Sequence, residues 1–168
     1  MLSYKIQDNS TMKYFLLCLL ILTFSIYSEE EGFIPVNIKE KIFQGEISLK
    51  QANEFLGDRK YFSCIEKIKE FQILYHDHPS FLKSYKILSL AYKKIQKWDL
   101  VAETEMNLFN ESPETEEGMN AYLNVAKAFV RIGKIEEAKK IFEEIISKEN
   151  TSKLKKEAEL ELNLLNAI

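Results

Sequence analysis

AKAFVRIGKIEEAKKIFEEI, residues Ala126–Ile145, sets Gly133 in the middle of a run of charged helix formers. Inside a continuous helix that glycine costs roughly 1 kcal/mol relative to alanine. Apolar spacing on its two sides favours a different role. Upstream, Tyr122, Val125, Ala126 and Phe129 step along one helical face; downstream, Ile135, Ala138, Ile141, Phe142, Ile145 and Ile146 do the same. Glycine just past a helix end is a common stop. The stretch therefore predicts two short antiparallel helices with Gly133 as the hinge of a hairpin.

Working upstream, the hairpin repeats at a step of 37 residues. Phe129 aligns with Tyr92 and Phe55, and the small residue Ala126 with Ser89 and Ala52. Tyr122 aligns with Tyr85, and Val125 with Leu88. In the second helices, Cys64, Ile68 and Phe71 share the spacing of Ala138, Phe142 and Ile145. A strict step would put Glu105 in the core of the middle copy. A shift of one brings in Ala102, Met106 and Phe109 instead, which predicts an extra residue in the turn around Lys97, Trp98 and Asp99. Trp98 itself is expected to pack at the hairpin tip.

Prolines punctuate the connections, at His76–Ser80 and Glu111–Thr115, with Ser112-Pro113-Glu114 read as an N-cap followed by proline in the first turn. A last helix is expected from Lys153 to about Asn166, with Leu154, Ala158, Leu162 and Leu165 on one face, covering the end of the array. The fold class is all-α: a solenoid of about three hairpins with a C-terminal capping helix. Only five Gly and three Pro in 168 residues also argue against a β-sandwich.

Residues Tyr14–Tyr27, YFLLCLLILTFSIY, follow Met12-Lys13 and precede the acidic run Glu29-Glu30-Glu31. Fourteen residues are short for a membrane span of about 20. A basic start, a short apolar centre and Ser28 before a polar chain predict an exported protein with a cleaved signal peptide. The rival expectation is an uncleaved anchor in the inner membrane, attached through residues 12–28. On either reading Met12 is the expected start, because Met1–Thr11 resembles no targeting segment. Cys18 does not suit lipidation, having almost no apolar stretch upstream. The organisation is thus 1–28 signal or anchor, 29–44 linker or short capping helix, 45–155 three repeats, and 156–168 the end of the capping helix. Without residues 1–28, Cys64 is the one cysteine left, and its apolar neighbours Ile65, Ile68 and Phe71 predict a buried core residue.

The stretch YLNVAKAFVRIGKIEEAKKIFEEIISKEN, Tyr122–Asn150, resembles a tetratricopeptide repeat. It has the aromatic, the large-small pair Val125-Ala126, Phe129, the turn glycine Gly133, then Ala138 and Phe142, with Asn150 in place of the closing proline. The upstream copies match less well, with Arg59 and Gln96 where the turn glycine is expected. The resemblance implies a protein or peptide binder without catalysis or cofactor, its ligand lying along the first helices.

First-helix positions off the buried stripe are the candidate partner-binding residues: Asn53 in copy one; Lys83, Lys86, Leu90, Lys93 and Lys94 in copy two; Asn120, Leu123, Lys127 and Arg131 in copy three. These form a largely basic surface on a protein of net charge −3, so an acidic peptide or C-terminal carboxylate is the expected ligand. The carboxylate clamp found in some members of the family is missing, because Leu49, Ile87, Asn120 and Asn124 sit at its Lys, Asn, Lys and Arg positions. No basic aromatic-rich motif points to nucleic acid. His76-Asp77-His78 has no partner ligand nearby in sequence and is expected to be a solvated loop, so no metal is assigned. No nucleophile elbow, phosphate loop or zinc-protease motif is present, and no enzyme activity is expected.

Overall fold

The structure, a computed structural model, describes residues 37–148 and 153–167. The expected signal or anchor, residues 1–28, lies outside them. The described residues form seven helices, in order α1 (Ile38–Gly57), α2 (Tyr61–Leu74), α3 (Phe81–Lys94), α4 (Trp98–Glu111), α5 (Glu116–Arg131), α6 (Ile135–Lys148) and α7 (Lys153–Asn166). Each packs on the next, as in a helical solenoid, with further contact between α1 and α3 and between α5 and α7. Among the described residues no helix is long and apolar enough to cross a membrane.

The hairpin turns are identical in construction. Arg59, Gln96 and Gly133, exactly one repeat apart, hold φ of 61°, 58° and 81°. After each, the N–H of Lys60, Lys97 or Lys134 donates to the carbonyl of Phe55, Tyr92 or Phe129 at 2.8, 3.0 and 2.9 Å. The left-handed residue itself donates to Leu56, Lys93 or Val130, at 3.2 Å in all three. This pair of bonds is the Schellman stop, which satisfies carbonyls the ending helix leaves without partners. The same lysines then open the next helix, their carbonyls accepting from Cys64, Val101 and Ala138. Only the third turn uses the glycine that the left-handed conformation favours; the other two carry its strain on arginine and glutamine.

The middle hairpin departs from expectation. Helix α4 starts at Trp98, in strict step with Tyr61 and Ile135, so the turn holds no extra residue. Glu105 occupies the core position of Ile68 and Phe142 and is 5% exposed. Its burial is sustained by Lys93 and Ser89, both within hydrogen-bond reach. A paired, hydrogen-bonded carboxylate can lie where an isolated one cannot. Val101 and Leu108 fill the neighbouring core positions, with Ala102 beside them.

Two connections also differ. Ser112 caps the end of α4 rather than the start of α5, its hydroxyl donating to the Leu108 carbonyl at 3.1 Å. The N-cap of α5 is Thr115, whose Oγ1 accepts from the Gly118 N–H at 3.0 Å. A β-carbon on Gly118 would lie 1.9 Å from the Ser112 carbonyl oxygen, so a bare glycine lets the connection close this tightly. At the N-terminal side, residues 38–44 are not a separate capping element but the opening turns of α1, capped by Asn37.

Candidate functional site

Helices α1, α3 and α5 present the first-helix positions. Asn53, Lys83 and Lys86 line one cleft of about 440 Å³, together with Glu46, Leu49, Lys50 and Ile87. Lys86, Leu90, Lys93 and Asn120 line a second, of about 320 Å³, whose remaining wall includes Ser89, Glu105, Leu108 and Glu117. Lys86 belongs to both, so the two clefts form one continuous face.

The second cleft has a structural origin. No Cα of α3 lies within 8 Å of one in α5, although α1 touches α3 and α5 touches α7. Between copies two and three the first helices stand apart, and α4 becomes the floor of the gap. Glu105 is therefore visible from this side. Its Oε1 accepts from the Ser89 hydroxyl at 2.5 Å and from Lys93 Nζ at 2.8 Å. Lys86 Nζ bridges across the cleft to Glu117 Oε1 at 2.7 Å.

The remaining candidates divide. Leu123 is 2% exposed and belongs to the core rather than to a binding surface. Its place in the repeat is that of Leu49, also buried. Lys127 is held by the C-terminal helix, 2.5 Å from Glu157 and 3.7 Å from Glu161. Arg131 sits at the hairpin tip with its guanidinium 5.5 Å from the Trp98 ring centroid, so Trp98 is half-buried packing between copies two and three. Lys83 and Lys94 are exposed and have no ion pair among the described residues. Half of the basic face expected from sequence is thus neutralised: Lys86, Lys93 and Lys127 each meet a carboxylate on another helix, whereas Lys83, Lys94 and Arg131 have no ion pair among the described residues.

His76 is exposed, as expected, but His78 is not: it is 6% exposed and buried against α1. Its Nδ1 accepts the Ser80 N–H at 3.0 Å, so Nε2 carries the proton and donates to the Ile42 carbonyl at 3.0 Å. The ring packs edge-on against Phe71, at 5.4 Å between centroids. It serves the junction between the first two hairpins. Among the described residues no group of three or more His, Cys, Asp or Glu side chains is placed to hold a metal ion. Cys64 is buried, and burial pushes its thiol up from the ordinary value, away from reactivity.

Three features of this site were not legible in the sequence. Glu105 broke the apolar pattern and looked like a register error. The carboxylates facing the lysines come from helices with no fixed spacing to them. The α3–α5 gap has no sequence signal at all. No protein-family model matches the chain, and no curated protein matches it either.

Proposed function

We propose that this chain is a tetratricopeptide-repeat-like adaptor that holds a peptide or protein segment along the face of α1, α3 and α5, and that it is not an enzyme. The observation that carries this is the pair of joined clefts on that face, which gathers Asn53, Lys83, Lys86, Leu90, Lys93 and Asn120. The exactly repeated Schellman turns support the repeat assignment. Leu90, 46% exposed at the cleft, offers an apolar contact among polar groups, a combination suited to an extended peptide. The apolar run 14–27 supports export to the periplasm or envelope. The alternative that the same run favours is retention as an anchor, making the protein a membrane-attached subunit of an envelope assembly or secretion complex.

Two experiments test this. The full chain and a Lys83→Glu/Leu90→Lys variant are used to capture partners from envelope extract, with circular dichroism confirming equal helicity. Partners lost by the variant support the face; identical partners move binding elsewhere on the molecule. Intact mass of the protein purified from its own cells separates the two localisations, since a chain starting near Glu29 excludes the anchor.

A further inference from the structure

We infer that Glu105, on the floor of the α3–α5 cleft, is the anionic anchor for a basic side chain of the bound segment, so that this cleft takes arginine or lysine rather than an acidic residue. This rests on the peptide-binding role proposed above and reverses the ligand charge expected from the lysine count.

Both hydrogen bonds to Glu105 end on Oε1. No described residue donates to Oε2. Yet no fully buried side-chain polar atom among the described residues lacks a partner. Oε2 must therefore have access to solvent, and the cleft that Glu105 lines is where it opens. The side chain as a whole is only 6% exposed, so little water can hydrate that oxygen. Such a carboxylate oxygen gains most from a charged N–H donor, whose bonds are roughly twice as strong as neutral ones.

The surroundings fit a basic side chain. Lys86 pairs with Glu117 and Lys93 with Glu105, so the charges lining the cleft balance. What the cleft leaves unfilled is an acceptor, Glu105 Oε2, and a donor-bearing side chain fills it. Leu90, Leu108 and Ala121 supply apolar lining for an aliphatic stem. An acidic side chain entering here would bring a further acceptor to a carboxylate oxygen that has no donor, and would find both lysines of the cleft already paired. Arginine is favoured over lysine, because its planar fork can span more than one acceptor.

The test titrates the isotope-labelled full chain with acetyl-Ala-Leu-Arg-Leu-Ala-amide, and with versions carrying citrulline or glutamate in place of the arginine, following backbone amide shifts. The arginine peptide is expected to shift Ser89, Glu105 and Asn124. Citrulline should bind about tenfold more weakly, since it loses the charge but keeps the shape, and glutamate should not bind in the cleft. Glu105→Gln, nearly isosteric, should weaken the arginine peptide by a similar factor. Leu90→Lys, at an exposed position on the rim, should also weaken it, and provides an arm that does not touch the core. Glutamate and arginine peptides binding equally well, or Glu105→Gln binding arginine undiminished, would overturn the role of Glu105 while leaving peptide binding on this face intact. No cleft shift with any peptide would overturn both for this cleft.

Discussion

A β-carbon on Gly45 would stand 2.4 Å from Cδ2 and 2.8 Å from Nε2 of His78, a ring fixed at both nitrogens. The ring cannot retreat without breaking its bond to Ile42 or to Ser80. Gly45→Ala is therefore expected to destabilise the fold by about 1–3 kcal/mol, as overpacking does. Gly57→Ala is the control: nothing lies within 4 Å of its added carbon, and helix propensity predicts a gain of up to about 1 kcal/mol. Urea denaturation of the two variants separates a packing cause from a general intolerance of alanine. The turn residues make the complementary case. Arg59 and Gln96 occupy left-handed backbone that suits glycine, and each is exposed. Arg59→Gly and Gln96→Gly are expected to stabilise by roughly 0.5–1 kcal/mol each, while Gly133→Ala costs about 1 kcal/mol. Equal and opposite behaviour at three positions one repeat apart would tie the effect to the shared turn; no gain from either glycine would show the strain relieved elsewhere.

At the scale of elements, α5 and α6 are joined by a polar cluster sensitive to pH. The Tyr122 hydroxyl donates to Glu144 Oε2 at 2.6 Å, and Lys148 Nζ donates to Oε1, also at 2.6 Å. Burial first, then the bond to Glu144, pushes the Tyr122 phenol from 10 up to about 12. Bonds from Lys148 and then Tyr122 hold the Glu144 carboxyl below its ordinary 4.5. The folded chain thus keeps the tyrosine proton more tightly than the unfolded one, and this contribution is complete below pH 10 and lost as pH rises toward 12. Glu144 contributes the other way: its share is present above pH 4.5 and lost as pH falls through the lower folded value. Tyr122→Phe is expected to reduce the alkaline loss, leaving the share of Cys64 and Tyr85, which burial also pushes up, and to make the acid loss shallower, because Lys148 still engages Glu144. Urea midpoints across both pH ranges check this, and unchanged slopes would remove Tyr122 from the cluster. The helices themselves were legible from apolar spacing, down to the bounds of α7. The middle hairpin was not, because periodicity counts apolar residues and treats a buried carboxylate as a misfit. Glu105 is at home only because Lys93 and Ser89 reach it from another helix, a relation that spacing along one helix cannot express. His78 was missed for the same reason: what buries its ring is Gly45, 33 residues earlier and on α1. The binding face suffered most, since counting its lysines omitted the carboxylates that arrive from α4, α5 and α7.

Across the whole array, helices touch their neighbours along the chain and at most the next helix but one, so stability should be distributed locally. The α3–α5 gap sharpens this, because copies two and three are coupled mainly where α4 packs on α5, with Phe109 stacked on Tyr122 at 4.3 Å. At the end of the array, α7 covers α5 and α6 with Leu154 and Ala158 buried, and Lys127 ties it down through Glu157 and Glu161. Ending the chain after Lys148 removes that cover and exposes the apolar surface beneath. Burial of Leu154 alone accounts for about 2 kcal/mol, so the truncated chain is expected to lose roughly 2–4 kcal/mol. In an array coupled only through neighbours, that loss should be felt unevenly. Amide hydrogen exchange should accelerate in α5 and α6 and remain unchanged in α1 and α2, on the far side of the gap. Uniform acceleration along all the remaining helices would instead show that the α4–α5 junction is strong enough to make the array unfold as one unit. In that case a ligand bridging α3 and α5 would add little to its cohesion, whereas uneven exchange leaves that bridge as a contribution the bound segment can supply.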